Sequence, residues 1–190
     1  ACAARNITAA NFFTNAVNTR TEGFEAVLSY AAPLGRGTLD LTAAWSNADT
    51  EIRSINDPVV AGVILVGAEE SNTIETAAPD DKGILSARWA DDRFSVLGRL
   101  SYYGEATRVF NFGGGFEPSQ TYGSTTQLDA EFGFRVLPGV ELFLGASNLL
   151  DEYPDESNDL IFYFGNLPYD VLSPIGFNGR FVYGGIRASF

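Results

Sequence analysis

Seven stretches of this chain alternate apolar and polar residues with a period of two, and the connections between them are sorted by length. The clearest stretch interleaves Leu128, Ala130, Phe132, Phe134 and Val136 with Asp129, Glu131, Gly133 and Arg135. A two-residue period with one apolar face is a β-strand, because successive side chains point to opposite sides. Six more such stretches cover 21–32, 38–45, 85–89, 94–101, 140–147 and 178–190. The connections are short at 33–37, 91–92 and 137–139, and long at 55–81, 104–123 and 149–177. Pro33-Leu34-Gly35-Arg36-Gly37, Asp91-Asp92 and Leu137-Pro138-Gly139 have the residues of tight turns.

Strict short–long alternation places all tight turns at one end of a sheet and all long loops at the other. That is the layout of a transmembrane β-barrel. A soluble sandwich has no reason to sort its loops. The reading is therefore all-β: an antiparallel transmembrane β-barrel segment of about seven meandering strands. Arg99, Asp129, Glu131, Arg135 and Glu141 are costly against lipid and acceptable against a wet lumen. Trp45 and Trp89 fall on apolar faces and read as interface anchors. Phe143 interrupts the polar side of its strand.

Composition agrees. Hydrophobic residues make up 45% of the chain, with 15 Phe, 8 Tyr and 20 Gly. Mean hydropathy is nevertheless zero, so apolar residues are dispersed. The longest apolar run, Val59–Ala68, is far short of the ~20 residues of a membrane-crossing helix. Net charge is −12, which disfavours nucleic acid, since neutralising phosphates takes Lys and Arg. There is no His, and no nucleophile has an evident base beside it, so an enzyme is not expected. The single cysteine, Cys2, precludes an internal disulfide. No signal peptide precedes it, so a mature chain or a fragment is expected. Between Arg135 and Arg180 there is no cation, while Glu141, Asp151, Glu152, Asp155, Glu156, Asp159 and Asp170 fall inside. Such a tract reads first as solvated surface. Asp151, Asp155, Glu156 and Asp159 lack the spacing of a calcium loop, so no metal or cofactor is expected.

The chain ends in a strand, with Val182, Gly184, Ile186, Ala188 and Phe190 on one face and Arg180, Tyr183, Gly185, Arg187 and Ser189 assigned to the other. A strand closing on Phe resembles the C-terminal assembly signal of bacterial outer-membrane barrels, here Gly185, Ala188 and Phe190. Three further segments resemble one family. Phe12-Phe13-Thr14-Asn15-Ala16 followed by Thr19-Arg20-Thr21-Glu22-Gly23-Phe24-Glu25 is similar to a segment that begins one of its strands. Asn148-Leu149-Leu150-Asp151-Glu152-Tyr153-Pro154 and Ser173-Pro174-Ile175-Gly176-Phe177-Asn178-Gly179-Arg180 are similar to its elements before and at the last strand. Together they resemble the C-terminal β-barrel portion of a TonB-dependent outer-membrane receptor, over about residues 12 to 190.

The resemblance implies the last third of a 22-stranded barrel, with residues 1–190 lacking the plug and the N-terminal strands. It implies ligand-gated import of a scarce nutrient (siderophore, haem, cobalamin, oligosaccharide or peptide) in the bacterial outer membrane. The partners it implies are outer-membrane lipid, the remaining barrel and plug, TonB through that plug, and the barrel-assembly machinery. Candidate ligand contacts are Arg99, Tyr103, Glu105 and Arg108, read as running up one strand toward the long-loop end. Aromatic candidates in the last loop are Phe162, Tyr163, Phe164 and Tyr169, which could stack on a ring or line the membrane-interface girdle. Two alternatives stand beside this reading. One is a complete small barrel of about eight strands with an adhesin-like structural role. The other is a soluble β-sandwich binding module.

Overall fold

The computed structural model describes residues 15–56, 64, 66–162 and 167–189. Nine strands and two short helices follow in the order β1 (Val17–Leu34), β2 (Gly37–Ile55), α1 (Ala68–Glu75), β3 (Asp81–Ala90), β4 (Phe94–Tyr103), β5 (Ala106–Val109), β6 (Ser119–Tyr122), β7 (Thr125–Leu137), β8 (Val140–Ser147), α2 (Asp159–Phe162) and β9 (Phe181–Ala188). Seven strands form one antiparallel sheet in the order β1-β2-β3-β4-β7-β8-β9, and β5-β6 is a separate hairpin. The sheet is a meander, as the alternation of turns predicts. It is open, and no second sheet layer forms among the described residues.

Register carries each strand's pattern across the sheet. Leu28 pairs with Ala43, Ala43 with Leu85, Leu85 with Leu100 and Leu100 with Leu128. Farther along, Val96 pairs with Phe132, Phe132 with Leu144 and Leu144 with Gly184. The rungs that start at Leu28, Tyr30 and Ala32 are apolar or small across the paired strands, whereas Phe24 pairs with Asn47 and Asn47 with Asp81 at the edge of the band. The face is bare: Leu28 is 70% exposed and Ile186 68%. So much uncovered apolar surface is stable only in an apolar solvent. The opposite face carries Asp40, Arg88, Arg99, Asp129, Glu131, Glu141 and Arg187, which is the alternation of a barrel wall between lipid and water.

The strands outrun the sequence reading at the long-loop end. β1 has 18 residues and β2 has 19, against the ~9–11 needed to cross a bilayer. Beyond Phe24 the apolar face turns polar as well, with Arg20, Glu22, Asp49, Glu51 and Arg53, so this hairpin projects past the apolar band. Its register slips at Asn18/Thr19. Pro33 and Leu34, assigned to the turn from sequence, belong to β1, because Leu34 pairs with Gly37 and only Gly35-Arg36 turns the chain.

At the short-turn end the connections are tied together. Asp91 accepts hydrogen bonds from the amides of Arg93 (2.8 Å) and Phe94 (2.7 Å), and Arg36 lies 3.3 Å from its carboxylate. Those two amides, aided by Arg36 and Arg135, hold the Asp91 carboxyl below its ordinary 3.8. The Trp89 indole N–H donates to Leu34 O at 3.0 Å, as expected of an interface anchor that needs a polar partner. Arg135 Nη1 donates to Asp92 O at 2.6 Å.

The long loops are more ordered than the sequence suggests. The stretch 55–81 contains α1, with Glu69 and Glu70 in its first turn, where a helix favours anions. The stretch 104–123 contains the β5-β6 hairpin, and 149–177 contains α2 and a bridge between Glu156 and Tyr169. These segments lack the long repeats that give sequence periodicity its force. Most of the Val59–Ala68 run lies outside the described residues, as do Phe12-Phe13-Thr14 of the first motif.

Candidate functional site

Two arrangements of polar residues flank one another: a charged wall on the sheet and a folded cap above it. On the wall, Arg99 of β4 reaches Asp129 of β7 through Nη2 (2.5 Å) and Nε (3.1 Å). Asp129 also accepts from Gln127 at 3.2 Å and from the Asn148 amide at 2.9 Å. Arg187 of β9 bridges Glu131 (2.8 Å) and Glu141 (3.4 Å), while Ser95 donates to Glu141 at 2.9 Å. The Arg187 guanidinium also lies 4.0 Å from the centre of the Phe143 ring, which explains the aromatic that interrupts this face. Gly133 leaves room here: a Cβ would meet the Glu141 carboxylate and the Ser95 hydroxyl, the movable ends of both side chains. Every wall charge named here has an opposite neighbour, so cations and anions both meet a compensated surface.

The cap is where side chains are buried. Ile161 is fully buried, and Ala77, Tyr122, Asn72, Arg108 and Asp170 are nearly so. Arg108 of β5 donates from Nε to Asp170 at 2.8 Å, lies 5.3 Å from the Phe110 ring centre, and reaches Thr73 Oγ1 of α1 at 3.5 Å. Asn72 of α1 donates to Thr107 O (2.6 Å) and accepts from the Val109 amide (2.7 Å), so the helix side chain extends the β5 edge. Tyr122 shares a hydrogen bond with Ser157 at 2.9 Å, and burial pushes its hydroxyl pKa upward against that bond. Gln120 donates to Glu156 O and accepts from the Asn158 amide, at 2.8 and 2.7 Å. Three loops far apart in sequence thus become one body at the mouth of the sheet.

The structure separates the first group of sequence candidates. Arg99 and Tyr103 do share one face of β4, but Glu105 lies past its end and Arg108 sits on β5, turned into the cap. They do not run up one strand, because the chain leaves the sheet at Gly104. Phe162 ends α2 and is half-exposed. Tyr169 stacks on Tyr153 at 5.8 Å and lies within 3.5 Å of Glu156 Oε1. Tyr163 and Phe164 lie outside the described residues. Gly185 and Ala188 are in β9, where Gly185 gives room to the Phe143 ring; Phe190 lies outside the described residues. Arg180 precedes β9, and by the two-residue period it shares the side of Val182 rather than the polar face assigned to it.

The acidic tract is absorbed by structure. Asp155 accepts from the Gly123 amide (2.7 Å), and Asp151 from the Arg180 amide (2.7 Å). No group of three or more metal-binding side chains gathers among the described residues. Asn148 is buried in a left-handed conformation (φ 52°) and is bonded twice to the Glu152 backbone, at 2.7 and 2.9 Å. Asn148-Leu149-Leu150-Asp151 is therefore a clasp: Asn148 turns the chain out of β8, and Asp151 holds the chain leading into β9. Tyr122 and Asn72 escaped the sequence reading, and Asp170 stood there only as part of a solvated tract, since nothing local marks a residue whose partner is distant.

A single-layered, alternating sheet with sorted turns and a wet, charged face defines an outer-membrane barrel wall. The family model described as "TonB dependent receptor-like, beta-barrel" matches residues 2–149. The chain belongs to that family, whose members are transporters that serve nutrient import across the Gram-negative outer membrane. A comparison with curated protein sequences finds no significant match. In outer-membrane barrels the tight turns are periplasmic and the long loops extracellular.

Proposed function

We propose that this chain is the C-terminal part of the wall of a 22-stranded, TonB-energised importer, and that its cap takes part in capturing a scarce nutrient. The observation that carries this reading is the cap itself, three extracellular loops folded into one body directly above a compensated lumen wall. The cargo classes are those of the family: siderophore, haem, cobalamin, oligosaccharide or peptide. Arg99, Tyr103 and Glu105 line the way down the wall, while Phe162, Tyr163 and Tyr169 offer rings to cargo. Arg108 acts from within, holding the cap's shape.

Among the described residues β1 and β9 each have an unpaired edge, which supports the barrel assignment, since unpaired strand amides and carbonyls are not tolerated in lipid. Further strands of the same receptor pair with them, and a plug fills the lumen and transmits TonB's pull. Gly185, Ala188 and Phe190 serve the barrel-assembly machinery.

Uptake of labelled cargo from each class, in cells with and without TonB, tests the proposal. Import of one class is expected, and it should vanish without TonB. Import that continues at full rate without TonB would overturn it.

A further inference from the structure

On the lipid-facing side, the rung Ala26–Trp45–Gly83–Tyr102 lies directly above the rung Leu28–Ala43–Leu85–Leu100. Trp45 and Tyr102 come from strands that are not neighbours, yet their rings stack at 5.5 Å and 17° across Gly83. Gly83 permits this, because a Cβ there would sit 2.8 Å from the Trp45 ring. Beneath the ring pair, Ala43 between Leu28 and Leu85 leaves a dip. The result is an apolar recess of about 490 Å³ lined by Ala26, Leu28, Ala43, Leu85 and Leu100 and roofed by the rings. That volume falls within the ~300–1,000 Å³ of small-molecule sites.

The roof has polar edges with nothing to bind. Among the described residues, neither the Trp45 indole N–H nor the Tyr102 hydroxyl has a hydrogen-bond partner, whereas Trp89 at the periplasmic rim is satisfied by Leu34 O. A buried or interfacial ring donor ordinarily finds an acceptor. Here the acceptor must come from whatever covers this face.

We propose that the recess is a binding site for one acyl chain of an outer-leaflet lipid, whose ester or headgroup oxygens accept from Trp45 and Tyr102. The face lies in the membrane and the rings sit at its extracellular end, the depth at which a lipid changes from hydrocarbon to ester. A second copy of the chain would bring the same apolar rungs, with its strand carbonyls already engaged in the ladder. The inference rests on membrane insertion and is independent of cargo and of TonB.

The test uses the protein purified in mild detergent, stripped of lipid and titrated with lipid A, the acylated anchor of the outer leaflet, with bound copies counted by native mass spectrometry. One lipid should bind more tightly than the rest. Ala43→Phe, which fills the dip, should weaken that lipid roughly tenfold, the effect of losing contact with about two methylenes. Trp45→Phe/Tyr102→Phe keeps the rings and removes the donors, and should weaken it too. Ala32→Phe, on the same face near the periplasmic rim, should not, and import should persist in all three. Unchanged lipid binding in both the Ala43→Phe and the double variant would overturn the proposal, as would an equal loss in Ala32→Phe. A dimer in wild type that Ala43→Phe converts to monomer would likewise overturn it, by making a second copy the occupant.

Discussion

Arg108 and Asp170 lie 62 residues apart in sequence and meet at 2.8 Å, with their side chains only 9% and 5% exposed. The pair joins the β5-β6 hairpin to the last extracellular loop in a setting where neither charge has much water. Removing one partner leaves the other buried and uncompensated, which typically costs roughly 3–5 kcal/mol. Asp170→Asn or Arg108→Ala should therefore open the cap while the membrane sheet stays folded. Hydrogen exchange should rise in residues 106–122 and 167–173 and stay slow in β3 and β4. Arg108→Met combined with Asp170→Leu should close the cap again, because an apolar pair leaves no stranded charge.

Asn148 turns the chain out of β8 with two bonds to Glu152 and a left-handed backbone. Asn148→Ala loses both bonds and pays for the positive φ, at about 2–4 kcal/mol together. Proteolysis of the intact protein should then cut first near 149–153. Asn148→Asp keeps the acceptor and should be milder. Equal sensitivity of the two variants would show that the Glu152 amide bond contributes nothing.

Gly133 lets Ser95 and Glu141 meet across the wall. Gly133→Ala should displace the Glu141 carboxylate and loosen Arg187 with it, at less than the ~1–3 kcal/mol of an overpacked core because only side-chain ends must move. A lower unfolding temperature in detergent is expected, and Ser95→Ala in the same background should restore part of it by making space.

The periplasmic turns carry a pH dependence. The Arg93 and Phe94 amides depress the folded Asp91 pKa below 3.8. A depressed carboxylate stabilises the fold above its unfolded pKa, and that contribution is lost as pH falls through the lower folded value. Stability should therefore drop below about pH 4 and be flat near neutrality for this group. Asp91→Asn should remove that part of the acid dependence in an unfolding titration; an unchanged acid limb would sink the assignment.

The first motif-like segment at the last loop shows how much of the site was legible. Asn148 and Asp151 stood out as part of a resemblance, and the structure gives them a mechanical task in place of a ligand. Arg99 was read correctly as part of a polar wall, because its face follows from counting along β4. Arg108 was placed on that same strand and belongs to the cap, since nothing in the local pattern says that the chain leaves the sheet at Gly104. Asp170 looked like one more acid in a solvated tract, yet it is among the most buried charges in the protein.

The sequence by itself determined the sheet. Side-chain alternation has a fixed period, turn residues mark each reversal, and a one-residue slip would turn every apolar residue toward water, so seven strands, their order and their two faces could be read by counting. Only the tertiary structure decided the cap and the recess under Trp45 and Tyr102. Both depend on contacts between residues distant along the chain, whose partners no local pattern names: a buried ion pair across two loops, and two rings meeting over a glycine on the strand between them.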